Sequence, residues 1–319
     1  MPALIATEAQ AAWGCMGEPE LLSHRENAVF AVTLPDGARA ALRVHRVGYK
    51  TTAEIAAELA LCDALAATGF PCPRGHRTKD GEWLWQGPGS AVASLISWVN
   101  GDALGQGDAP LPPNALDLYE KLGAALASLH AALPQGPLTA QRPAWDLDGL
   151  TGTDPIWGRY WESPILTEAE MSLILRARDL ARERLLALPD AALAPLIHGD
   201  ALRENVLVTQ DGLALIDFDD CGPGYRLYDV ATALTQSLDD PLLPDLRDAV
   251  LRGYEVVTPL GDEERAALPL LSMLRSFCAL AWVVPRYPTG HPKSPLYKAR
   301  ALRAAEAVLA GEDFLSFRR

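Results

Sequence analysis

Cysteine is scarce in this chain of 319 residues, and what there is does not pair up. Cys15, Cys62, Cys72, Cys221 and Cys278 are odd in number and scattered, with no CxxC among them. That argues against a disulfide framework or a cysteine zinc site and fits a reducing cytoplasm. No apolar run approaches the ~20 residues that cross a bilayer. The opening residues, MPALIATEAQAAW, place no basic segment ahead of a long apolar core, so no secretory leader is expected. Positive charge is in deficit. There are 28 Lys and Arg against 41 Asp and Glu, a formal net charge of −13 and a pI of about 4.9. Nucleic acid and anionic membrane are therefore not expected partners. Internal repeats and low-complexity segments are absent. What remains is a globular composition, 49% hydrophobic and 22% charged, at a length that suits two domains.

The stretch that carries chemistry spans 196–229, LIHGDALRENVLVTQDGLALIDFDDCGPGYRLYD. An apolar run over 193–197 closes in His198, Gly199 and Asp200. Asn205 comes five residues after Asp200 and opens a second apolar run. Asp211-Gly212 is a hairpin turn signal. A third run, 213–216, ends in Asp217-Phe218-Asp219-Asp220. A hairpin over these runs would bring Asp200, Asn205 and Asp217 to one mouth. Phosphoryl transfer needs such a set: a carboxylate beside the attacking hydroxyl and oxygen ligands for magnesium. Asp200 would orient the hydroxyl and accept its proton. Asn205 and Asp217 would hold the metal ions that bridge the ATP phosphates, with Asp219 as the other available carboxylate. A hairpin that merely has polar ends is the bland alternative, and four coincident features weigh against it.

His198, Asp200 and Asn205 in the pattern HxDxxxxN, followed by an Asp before Phe, resemble the catalytic and metal loops of protein kinases. The form HGD and the tail DFDDCGPGYRLYDVA are closer to the aminoglycoside phosphotransferase and choline kinase-like superfamily, in its homoserine-kinase-like and bacterial stress-response-kinase branch. The resemblance implies an α+β, two-lobed protein-kinase-like fold. A small mixed β-sheet lobe over 1–97 would cover the nucleotide. A larger, mainly helical lobe over 98–319 would carry the catalytic loop, metal site and acceptor pocket. ATP and Mg²⁺ are the implied cofactors, and the hydroxyl of a small molecule is the implied acceptor. Arg43 falls where the superfamily's ATP-anchoring basic residue sits, an arginine in place of the usual lysine. Its implied partner is Glu58, with Glu54 second; the alternative is a surface arginine on an edge strand. The loop over 23–28 lacks GxGxxG, but backbone amides at Asn27 and Ala28 could meet phosphate. By family position, Ser97 to Val99 is the hinge whose backbone meets adenine, and Asp229 braces the catalytic loop.

The remaining pattern predicts strands over 20–24, 27–34, 40–45 and 91–99, and a helix capped by Thr51 or Thr52 that runs through Ala67. Helices are expected over 114–133, 167–188, 225–237, 241–254, 263–284 and 295–309, with Thr167 and Glu170 as a capping box. His130 reads as a helix-end or core residue. Aromatic faces beside carboxylates attract cations. Trp157, Trp161 and Trp282 are therefore candidate walls of a pocket for an amino alcohol, although packing is the commoner role of any one indole. Three functions stay open: a kinase of a small alcohol or amino alcohol, a Ser/Thr protein kinase of the stress-response type, and a non-catalytic nucleotide-binding protein. The presence of Asp200, Asn205 and Asp217 disfavours the last.

Overall fold

A computed structural model describes residues 1–24, 27–107, 109–287 and 290–316. These form two compact units. The smaller comprises Met1–Asp102 together with Ala214–Asp219; the larger comprises Ala103–Leu213 and the residues from Asp220 onward.

The smaller unit is built on an antiparallel sheet of β1 (Met16–His24), β2 (Ala28–Thr33), β3 (Arg39–Val44), β4 (Gly75–His76), β5 (Leu84–Gln86) and β6 (Val92–Ser97). The order is β1-β2-β3-β6-β4, with β5 also paired to β6. Strand alternation sorts β3 into two faces. Ala40, Leu42 and Val44 are buried against Phe30, Val32 and Leu95, and against Ala6, Ala9 and Trp13 from the N-terminus. Ala6 and Ala9 belong to α1 (Pro2–Ala9), a helix the sequence pattern did not predict. Ala41 and Arg43 point the other way. That face is covered by α2 (Thr52–Ala67), whose Ile55 and Leu59 pack with Ile96 and Ala41.

The start of α2 is fixed by a reciprocal cap. The Thr51 hydroxyl accepts the Glu54 N–H at 3.2 Å, and the Glu54 carboxylate accepts the Thr51 N–H at 2.7 Å. Glu54 is thereby committed to the helix end. Glu58, one turn on, is turned inward and 4% exposed. Arg25 and Glu26, central to the expected phosphate-covering loop, lie outside the described residues.

The remaining elements are β7 (Asp102–Ala103), α3 (Ala115–Ala132), α4 (Pro137–Ala140), α5 (Leu147–Thr151), α6 (Glu168–Leu186), β8 (Leu193–Ile197), β9 (Val206–Thr209), β10 (Gly212–Leu215) and β11 (Gly222–Tyr225). They are followed by α7 (Arg226–Leu234), α8 (Leu243–Val257), α9 (Asp262–Arg286) and α10 (Ser294–Leu309). In the larger unit β8 pairs antiparallel with β11, and α9 packs on α6, α7 and α10. The expected capping box at Thr167 and Glu170 opens α6. By length and composition α9 could cross a membrane, which the run-length reading had excluded. In its most apolar window 72% of the residues are buried inside the protein.

Helices α3 and α8 touch backbone to backbone. A Cβ on Gly123 would lie 1.9 Å from the Val250 carbonyl oxygen, and one on Gly253 would lie 1.7 Å from that of Glu120. Only glycine fits such a crossing. Gly253→Ala should therefore force the helices apart and cost about 1–3 kcal/mol, the usual range for overpacking. Urea unfolding measures this; an unchanged midpoint would mean the helices are not in contact there.

Candidate active site

In the smaller unit the two-faced strand β3 delivers Arg43 to Glu58. Its Nη1 donates to Glu58 Oε1 at 2.8 Å, and its Nη2 donates to Asp217 Oδ1 at 2.9 Å. The guanidinium is almost fully buried, and the two carboxylates hold its pKa above the usual arginine range against the opposing effect of burial. Asp217 sits at φ +68°, a left-handed conformation uncommon for a residue with a side chain. Arg43 grips it there, while 47% of the Asp217 side chain stays exposed. Two residues on, Asp219 receives Lys50, whose ammonium lies 3.5 Å from Oδ2 and also donates to the Asp219 carbonyl. Lys50 was not singled out in the sequence, because the β3–α2 connection has no motif to mark it. Asn27 accepts the Arg46 N–H through Oδ1 at 3.2 Å. Asn27, His45, Lys50, Glu58 and Asp219 line one small recess. Ser97 ends β6 and is tied to Arg74 by its N–H and its hydroxyl, each at 2.8 Å; Val99 follows it, partly buried.

In the larger unit the loop after β8 carries the HxDxxxxN residues. Asp229 lies in the first turn of α7 with no solvent exposure. Its Oδ2 accepts the His198 N–H at 2.6 Å and its Oδ1 the Gly199 N–H at 2.8 Å. His130 Nε2 lies 3.0 Å from Oδ2, and His130 Nδ1 lies 2.7 Å from the Tyr254 hydroxyl. Gly199 is at φ +79°, and a Cβ there would meet the Asp220 carbonyl oxygen at 2.6 Å. Glycine is therefore required where the chain turns toward Asp200. His198 itself is fully buried, with Nδ1 turned to the Asp200 N–H at 3.3 Å. It shapes the loop from within.

Asp200 and Asn205 are brought together: Asn205 Nδ2 lies 2.9 Å from the Asp200 carbonyl oxygen and 3.3 Å from its Oδ2. Two further residues of the loop hold it in place. Arg203 donates to the carbonyls of Gly107 and Ala109 and to the hydroxyls of Tyr119 and Ser237, while Glu204 accepts the Gly107 N–H. The other Asp200 oxygen, Oδ1, accepts from Arg275 Nη2 at 3.1 Å. No sequence signal marked Arg275, which sits in the apolar stretch of α9, 75 residues away.

The three candidate indoles are not bare. Arg275 lies over Trp157 at 4.9 Å, Arg178 over Trp161 at 4.8 Å and Arg286 over Trp282 at 4.9 Å. Trp157 is linked through its arginine to Asp200. Among the described residues no three His, Cys, Asp or Glu side chains converge as a metal cage. Magnesium on a nucleotide does not need one, since one or two carboxylates plus phosphate suffice; Asp217 and Asp219 are donors of that kind.

Residues 19–269 match the phosphotransferase enzyme family, APH. The chain belongs to that family. It is 34% identical over 243 residues to an uncharacterised protein of Deinococcus radiodurans, covering 72% of this chain and 67% of that one. With a homoserine kinase of Agrobacterium fabrum it shares 33% identity over 273 residues, 80% of each chain. The structure of a microcompartment-associated aminopropanol kinase is 28% identical, with a TM-score of 0.80 over 97% of this chain and 98% of that one. Matches to curated relatives span between 63% and 80% of those proteins' own lengths. The expected superfamily and its kinase-like α+β fold are thus borne out.

His45, beside Arg43, gives the smaller unit a pH signature. Its Nε2 lies 2.8 Å from the Ser94 hydroxyl. Burial first, then the Arg43 and Lys50 charges, push its pKa down to about 3, with Asp219 pulling the other way. An unfolded chain takes this proton near pH ~6.5. The stabilisation is therefore complete above that pH and is lost as pH falls from 6.5 toward 3. His45→Asn should lose less stability than wild type between pH 7 and pH 5, as read by urea unfolding. Equal losses in both proteins would mean that His45 titrates normally.

Proposed function

We propose that the protein transfers the γ-phosphoryl group of ATP to the hydroxyl of a small amine-bearing alcohol. The observation that carries this reading is the Asp200 carboxylate. It is 23% exposed, set beside Asn205, and stands on a loop braced by Asp229. A carboxylate so placed accepts the hydrogen of an attacking hydroxyl and aims its oxygen. In this reading Arg43 clamps the nucleotide phosphates and Glu58 orients it, as the ion pair of a kinase small lobe does. Asp217 and Asp219 in the smaller unit and Asn205 in the larger are each candidates to hold Mg²⁺, which would neutralise charge developing on the phosphates. Adenine meets the backbone at 97–99, and the amide at Asn27 faces phosphate. The amine in the acceptor is supported by the names of two relatives, since homoserine and aminopropanol each carry an amine and a hydroxyl. Trp157, next to Asp200 through Arg275, is the aromatic assigned to the acceptor pocket ahead of Trp161 and Trp282.

A phosphoryl-transfer screen of amino alcohols, neutral sugars and protein substrates tests the reading. Turnover is expected on amino alcohols, and Asp200→Asn should lower it about 10²–10⁴-fold with ATP affinity kept. Activity confined to sugars would remove the amine, and labelling of proteins alone would make this a protein kinase.

Arg43→Ala should raise the KM for ATP and lower kcat, and Arg43→Lys should recover only part of the loss, because the planar fork that spans two partners is gone. Steady-state kinetics in ATP reads both variants. Wild-type behaviour of Arg43→Ala would leave the Arg43–Glu58 pair a purely structural contact.

A further inference from the structure

We infer that Arg275 is a positioning residue for the transfer step, fixing the Asp200 carboxylate for the acceptor hydroxyl; this rests on the phosphotransferase reading above. The two Asp200 oxygens are approached from different sides, Oδ1 by Arg275 Nη2 at 3.1 Å and Oδ2 by Asn205 Nδ2 at 3.3 Å. Contacts at both oxygens restrict rotation of the carboxylate and set its direction.

The arginine is itself immobilised. It is 5% exposed on α9, and its guanidinium lies over Trp157. Trp157 stands edge-on to Trp145 at 5.3 Å, and Trp145 stacks on Tyr228 at 5.0 Å and donates its Nε1–H to the Asp220 carbonyl oxygen at 2.7 Å. An aromatic frame thus seats one cation against one carboxylate.

Stability alone does not account for this arrangement. Arg275 Nε is buried with no hydrogen-bond partner, and a buried open donor costs free energy. The fixed cation serves chemistry. The Asp200 carboxylate so held presents oxygens that accept the hydroxyl hydrogen. Phosphoryl transfer through a loose transition state depends on such placement more than on a strong base. Arg275 acts through Asp200 and is assigned no contact with ATP.

The test is a double-mutant cycle. Arg275→Gln and Arg275→Lys are made in the wild-type and Asp200→Asn backgrounds and assayed with an acceptor that wild type uses. Arg275→Gln should lower kcat about tenfold or more while the KM for ATP stays within about twofold, and Arg275→Lys should recover part of the loss. In the Asp200→Asn background the same Arg275→Gln change should alter kcat less than about twofold, because the group it positions is already gone. Unchanged kcat in Arg275→Gln, or the same fold loss in both backgrounds, overturns the inference. Full turnover in Asp200→Asn would instead strike the phosphotransferase reading. Thermal midpoints of wild type, Arg275→Gln, Asp200→Asn and the double variant follow the pairing without any activity. Non-additive midpoints support the clamp, and additive ones overturn it.

Discussion

A carboxylate cut off from water must find its hydrogen-bond donors inside the protein. Asp229 finds them in the backbone of His198 and Gly199 and in the ring of His130. Much of the larger unit follows from that demand. The two N–H groups fix the direction in which the chain leaves β8, so Asp200 emerges at a set place. His130 couples the same carboxylate to α3, and its other nitrogen reaches Tyr254 on α8. The α3–α8 crossing, close enough to require glycine on both helices, holds that relay in register. Loop, relay and crossing form one mechanical unit with the buried charge at its centre.

Local features were legible in the sequence. Spacing alone put Asp200 and Asn205 together, since five residues of loop leave little freedom. Strand alternation turned Arg43 away from Leu42 and toward the helix. The Thr51 cap explains why Glu58 and not Glu54 became its partner. Features carried by tertiary packing were hidden. Arg275 reaches Asp200 across 75 residues from a stretch that reads as plain core. Lys50 meets Asp219 across 169 residues of chain, from a loop with no periodicity. Helix α1 was missed because its buried residues are alanines, too small to give an apolar stripe a strong pattern.

Charge is handled in a consistent way at two buried arginines. Arg43 and Arg275 are both nearly buried, and each is set against a carboxylate that keeps partial access to water. Guanidinium suits this role because it stays protonated and its planar fork can serve two partners at once. The indoles that invited a cation-binding reading already carry arginines of the same chain. Aromatic residues here organise internal cations, which limits how much of the surface is left for an external one.

The smaller unit is not contiguous in the chain. Its last six residues, Ala214–Asp219, are made only after more than a hundred residues of the larger unit. During synthesis on a ribosome, a nascent chain that ends before Asp217 presents the sheet and α2 with Arg43 unable to meet its second carboxylate, 174 positions downstream. Closing so long a loop is slow and entropically costly. The small unit can therefore reach its final form only after the start of the larger one has left the exit tunnel. A fragment ending near Asp102 would lack Asp217 and Asp219, and with them an acidic partner each for Arg43 and Lys50.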